Sequence, residues 1–74
     1  MPKINPISGK NLSKILKRLD FEIVRVKGSH HFFYHLDGRR TTVPIHRNEE
    51  VAIGTLKAIL DDIEISVEEF NKMR

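Results

Sequence analysis

The feature that most constrains this chain is the dipeptide Gly28-Ser29, set between two strand-like runs at residues 21–27 and 30–35. A Gly-first pair in that setting predicts a type II′ hairpin turn, because glycine takes a positive φ without steric cost. The turn then fixes the register by parity. Lys27 faces His30, Val26 faces His31, Arg25 faces Phe32, Val24 faces Phe33 and Ile23 faces Tyr34. One face carries Val24, Val26 and Phe33 and is the expected core face. The other carries Arg25, Lys27, His30, Phe32 and Tyr34, basic and aromatic at once.

A second turn signal, Leu36-Asp37-Gly38, leads into a third strand at 39–45 that is interrupted by Pro44. A three-residue loop with Gly38 in the left-handed region keeps Val43 and Ile45 on the face of Phe33; a two-residue loop would turn Val43 away. Helices flank this sheet. Ser8 is the expected N-cap of the first, after an extended lead-in at 1–7 in which Pro2 and Pro6 oppose helix, and Asp20 marks its exit. Leu12, Ile15, Leu16 and Leu19 form one i, i+3, i+4, i+7 stripe, and Leu56, Ile59, Leu60 and Ile63 repeat it in a second helix that begins around Gly54-Thr55. Between them, 46–53 is a polar connection. Ser66 and Glu69 form a capping box for a short last helix docked by Val67 and Phe70. The order predicts an α+β fold, α-β-β-β-α, with a three-stranded antiparallel sheet, both main helices on one face and a small terminal helix. Seventy-four residues fit a single domain spanning 1–74.

Charge and chemistry point to a polyanion. Lys and Arg number 13 against 10 Asp and Glu, with the basic residues gathered before residue 48 and the acidic ones mostly after it. There is no cysteine, so disulfides and thiolate zinc sites are excluded. No apolar run suits a signal peptide or a membrane span, which predicts a cytoplasmic protein. Of the four histidines, His31 and His35 share a strand face roughly 13 Å apart while His30 points the other way, so no metal site or other cofactor is expected. His31 and His35 are expected to be partly buried and hydrogen-bonded. His46, at a strand end, is expected to order its loop, with approach to the hairpin tip as a second acid or phosphate contact also open. At the hairpin tip a neutral His30 could take the proton from a ribose 2′-hydroxyl, with Lys27 opposite to stabilise charge on the phosphate. Lys10, Lys14, Lys27 and Ser29 are the candidate phosphate contacts, and Phe32 and Tyr34 the candidate base platforms. Two other classes stay open. The chain could be a non-catalytic RNA-binding module, or an interaction domain whose basic face meets an acidic partner. Separately, the alternative to base platforms is that Phe32 and Tyr34 cover a second apolar layer or a homodimer contact.

The succession Ser8-Gly9-Lys10, Lys27-Gly28-Ser29-His30-His31, Asp37-Gly38-Arg39, Val43-Pro44-Ile45-His46 and Gly54-Thr55-Leu56 resembles the HicA family of mRNA interferase toxins from toxin–antitoxin systems, over roughly residues 8–63. The resemblance implies a double-stranded-RNA-binding-domain-like fold. It implies a ribosome-independent endoribonuclease that cleaves mRNA and so inhibits translation. It also implies that the histidine after the Gly-Ser pair, His30, is catalytic, and that the partner is a HicB-type antitoxin covering the active face. The chain departs from many members in its second helix, where Asp61 and Asp62 stand beside a single Lys57.

Overall fold

The computed structural model describes residues 3–47 and 49–74; the expectation for Pro2 lies outside them. The elements are α1 (Gly9–Arg18), β1 (Glu22–Lys27), β2 (His30–Tyr34), β3 (Arg40–Pro44), α2 (Ile53–Asp62) and α3 (Val67–Lys72). The strands form one antiparallel sheet in the order β1-β2-β3, which is the α+β arrangement that the stripes and turn signals predict.

Local chemistry sets the helix limits. Ser8 caps α1 by accepting from the Asn11 backbone N–H at 3.1 Å, and Ser66 caps α3 in the same way with Glu69 at 3.1 Å. Both long helices end alike. Asp20 (φ 70°) and Glu64 (φ 58°) each take the left-handed conformation one residue past the cap. The next N–H then reaches back to the third-last helical carbonyl: Phe21 to Leu16 at 3.0 Å, Ile65 to Leu60 at 3.1 Å. This is the Schellman arrangement, and it lets buried Phe21 and Leu16 pack at the exit. Lys17 and Arg18 in the last turn of α1 complement its dipole.

The turn geometry follows the sequence. Gly28 has φ 59° and Gly38 has φ 101°. The second loop has three residues, closed by His35 N–H donating to the Arg39 carbonyl at 2.8 Å. That loop places Val43 on the face of Phe33, and both are fully buried. Leu12, Leu16, Phe33, Val43, Leu56, Ile63 and Phe70 sit at the centre of one hydrophobic core between the sheet and the helices.

In β1 the structure corrects the expected register. Pairing follows the parity from Lys27↔His30 through Arg25↔Phe32, but Ile23 then pairs with Phe33 and Glu22 with Tyr34, with a bulge at Val24. Ile23, not Val24, joins the core, and Val24 is 65 % exposed. The reason is parity itself. Phe21 and Ile23 face inward, whereas the tip pairing puts Val26 on that same side three residues later. An extra residue must absorb the odd step, and a bulge does so. Val26 also stays 54 % exposed. The helices lie against β3, so the tip of β1 on the far edge of the sheet overhangs them. Among the described residues no helix is long and apolar enough to cross a membrane.

Candidate functional site

The open face of the sheet is built as three rows that cross all three strands. Lys27, His30 and Pro44 form the first; Arg25, Phe32 and Thr42 the second; Glu22, Tyr34 and Arg40 the third. Each row centres on β2, so His30, Phe32 and Tyr34 succeed one another at steps of about 6.7 Å. The alternation of β2 sends Phe33 into the core and leaves its neighbours on the open side.

The first row is anchored from beneath. The Ser29 carbonyl accepts from the Ile45 N–H at 2.7 Å and lies 3.0 Å from His31 Nδ1. A carbonyl can only accept, so His31 carries its proton on Nδ1. These two bonds tie the hairpin turn to the end of β3. The α1 N-terminus braces the same end: a Cβ on Gly9 would lie 2.6 Å from the Pro44 carbonyl oxygen and 3.0 Å from Ile45 Cα. Pro44 is the cross-strand neighbour of His30. His30 itself is exposed to solvent, on a backbone held from two sides.

The second and third rows floor a groove. It has a volume of about 590 Å³. Phe32, Tyr34, Thr42, Arg25 and Arg40 line one side, with the bulged Val24 at its margin. Thr55, Ala58 and Asp62, at i, i+3 and i+7 on α2, line the other. The Arg25 guanidinium carbon lies 5.8 Å from the centre of the Phe32 ring, within cation–π range. Buried Thr41 donates its hydroxyl to Asp62 Oδ2 at 2.9 Å, which fixes the carboxylate against β3.

Of the residues singled out from the sequence, Lys27, Ser29, His30, Phe32 and Tyr34 come together on this hairpin and face. Lys10 follows Gly9 at the braced end. Lys14 does not join them: it lies with Asn11, Arg18 and Arg74 along a shallow depression of the helical layer. His46 is exposed beyond β3, with its carbonyl accepting from Glu49 N–H at 3.2 Å. His35 is part of the second hairpin, where its Nδ1 accepts from the Asp37 N–H at 3.0 Å and its ring meets Phe21 edge-on at 5.0 Å. Arg40, Thr42 and Thr55 were not among the candidate contacts, and Asp62 stood out only as part of the acidic departure in the second helix. The register from the three-residue loop gives Arg40 and Thr42, whereas the polar side of α2 reads as a solvated face until its docking beside β3 is known.

A second charged cluster lies at the opposite end of the sheet. Arg39 Nε donates to Asp37 Oδ2 at 2.8 Å, Arg39 Nη1 donates to the Ile63 carbonyl at the end of α2 at 2.6 Å, and the guanidinium lies over Phe21 at 5.2 Å. The Arg39 backbone N–H, then its guanidinium, hold the Asp37 carboxyl below its usual value. These contacts bind the second hairpin to α2 and leave the cluster a structural role. Among the described residues no three His, Asp or Glu are grouped to hold a metal ion.

No curated protein matches the chain. A family model described as the HicA toxin of bacterial toxin–antitoxin matches residues 9–65, which takes in the sheet, α2 and all of α1.

Proposed function

The chain belongs to the HicA family of toxins from bacterial toxin–antitoxin systems, and from that premise we propose that it is a metal-independent endoribonuclease that cleaves mRNA with His30 as its acid–base group. The observation that carries this is the first row: an exposed imidazole directly across from Lys27, on a turn whose carbonyl is pinned by Ile45 and His31. The neutral imidazole takes the proton of a ribose 2′-hydroxyl, and the freed oxygen attacks the adjacent phosphorus. The bond to the 5′-oxygen breaks, leaving a 2′,3′-cyclic phosphate and a 5′-hydroxyl. The imidazolium formed in the first step is the acid at hand for the departing oxygen. Lys27 stabilises the charge that builds on the phosphate, with Lys10 and Ser29 as further phosphate contacts and Phe32 and Tyr34 as base platforms. A toxin of such a pair has an antitoxin, and we read it as a HicB-type protein that covers this face. The site of action is the cytoplasm, where mRNA is found.

The test is RNA cleavage in EDTA by wild type and His30→Ala, with analysis of the 3′ ends. Wild type should leave cyclic phosphates, and the variant should lose about 10²–10⁴-fold in rate. Equal cleavage by both proteins would remove His30 from the mechanism. RNA binding by both with cleavage by neither would replace the enzyme with a non-catalytic RNA-binding module.

A further inference from the structure

We propose that the groove between Phe32 and α2 is a nucleobase subsite, and that Asp62 selects there for a base bearing an exocyclic amino group. The inference rests on the ribonuclease reading for its register, and its geometry is that of the second row. Phe32 lies one strand step, about 6.7 Å, from His30 on the same face of β2. A strand of RNA with its phosphate at His30 therefore brings an adjacent base over Phe32 and the next toward Tyr34. The occupant is unpaired RNA, because only a splayed base can lie flat on a ring in this groove.

The charges agree with that occupant. Lys27, Arg25 and Arg40 flank the path on the first, second and third rows, where phosphates would run. Arg25 already lies over the Phe32 ring, so a base stacking there meets a cation as well as a π-face. At about 590 Å³ the groove is large enough for a base.

Asp62 is the residue that needs explaining. A carboxylate on the wall of a polyanion track repels phosphate, and wherever it lines the groove it lowers general RNA affinity. Its position gives a compensating role. The Thr41 hydroxyl holds Oδ2, so the carboxylate is oriented rather than free, and a carboxylate has a second oxygen with which to accept. Cytosine N4 and adenine N6 are amino donors on base edges; uracil presents a carbonyl at the same place and would be repelled. Thr42 and Thr55 hydroxyls stand beside the same groove as further edge contacts.

The experiment uses unstructured, 2′-O-methyl oligonucleotides of C or of U, which lack the 2′-hydroxyl and cannot be cut. Their affinities for wild type, Phe32→Leu and Asp62→Asn are read by fluorescence anisotropy. Cytosine and uracil stack alike but differ at position 4. Wild type should bind oligo(C) about fivefold or more tightly than oligo(U). Asp62→Asn keeps an acceptor for Thr41 and should erase that ratio. Phe32→Leu should weaken both oligomers about tenfold, with thermal stability little changed. Unaltered affinities in Phe32→Leu would overturn the subsite, and an unaltered ratio in Asp62→Asn would overturn the selection. Absence of binding to either oligomer by wild type would overturn both. If binding follows the expected pattern while wild type fails to cleave RNA in EDTA, the subsite stands and the assignment of His30 falls.

Discussion

The two faces of one strand divide the labour in this molecule. On β2, Phe33 points inward and is 1 % exposed, while His30, Phe32 and Tyr34 stand on the other side, the face proposed to meet RNA. The inner face is fixed by packing. Its residues are interlocked with Leu12, Leu16, Leu56 and Phe70 in the same cluster, so each depends on the others. The outer face is held mainly at its ends, by the Ser29 carbonyl at one and the second hairpin at the other. That difference teaches where function can reside in so small a chain. With one core to maintain, the residues free to do chemistry are those that alternate away from it.

The division can be broken most sharply by substituting across it. Phe33→Ala should cost about 3–5 kcal/mol of stability. A native domain has about 0.05–0.15 kcal/mol per residue in all, about 4–11 kcal/mol for 74 residues, so chemical denaturation should show a midpoint far below that of wild type. His30→Ala, one face over, should leave the unfolding midpoint unchanged while abolishing cleavage. If His30→Ala proved as unstable as Phe33→Ala, the outer face would be part of the core after all.

Gly9 marks a place where the two faces cannot be separated. Alanine is the better helix former by up to about 1 kcal/mol. Yet its Cβ would press on the Pro44 carbonyl, a backbone atom 2.6 Å away that cannot swing aside. Overpacking of this kind costs about 1–3 kcal/mol, so the net effect of Gly9→Ala is loss of stability. Because Pro44 is the neighbour of His30 in the ladder, the shift should also reach the outer face. Cleavage by the folded fraction should fall along with the denaturation midpoint. A variant that lost stability with no change in specific activity would confine Gly9 to the core.

Most of this architecture was legible in the sequence, and the misses have physical causes. The two leucine–isoleucine stripes, the serine caps and the glycine turns are local signals, and local structure obeyed them. The three-residue loop at Leu36-Asp37-Gly38 gave the β2–β3 register, and with it the partner of every outer residue on β3. Val24 was misplaced because a bulge adds one residue without any mark of its own. Its only trace is the odd spacing of Ile23 and Val26, which no regular strand can keep on one face. The α2 wall of the groove was out of reach for another reason. Thr55, Ala58 and Asp62 form an ordinary polar helix side, and only the docking of α2 beside β3 turns it toward Phe32.

A smaller effect of the opposite sign sharpens the comparison within the helical layer. Glu64 holds a left-handed φ of 58° at the end of α2. That conformation costs a non-glycine residue about 1–2 kcal/mol, whereas glycine costs about 0.5–1 kcal/mol through the unfolded chain. Glu64→Gly should therefore gain about 0.5–1 kcal/mol, a rise of about 3–6 °C in Tm for a domain of this size. RNA cleavage should not change, since the substitution lies behind the core from the outer face. A fall in Tm would mean that the Glu64 side chain makes a contact that outweighs its backbone strain.

The least effect is expected at the hairpin opposite His30, and it has a defined pH dependence. Asp37 accepts from the Arg39 backbone N–H at 3.0 Å and from its guanidinium, and these contacts lower its pKa from the ordinary 3.8. A carboxyl whose folded value lies below its unfolded value binds fewer protons in the native state. Its contribution is therefore fully present above the unfolded value and disappears as pH falls through the folded one. Asp37→Asn keeps an oxygen for the backbone N–H and removes only the charge. Its Tm should sit slightly below wild type at neutral pH, and the gap should close as pH falls below about 4. RNA binding at the outer face should be the same in both proteins throughout, because Arg39 points inward to Ile63 while its neighbour Arg40 faces out. A loss of RNA affinity in Asp37→Asn would show that the two faces are coupled through that pair of arginines.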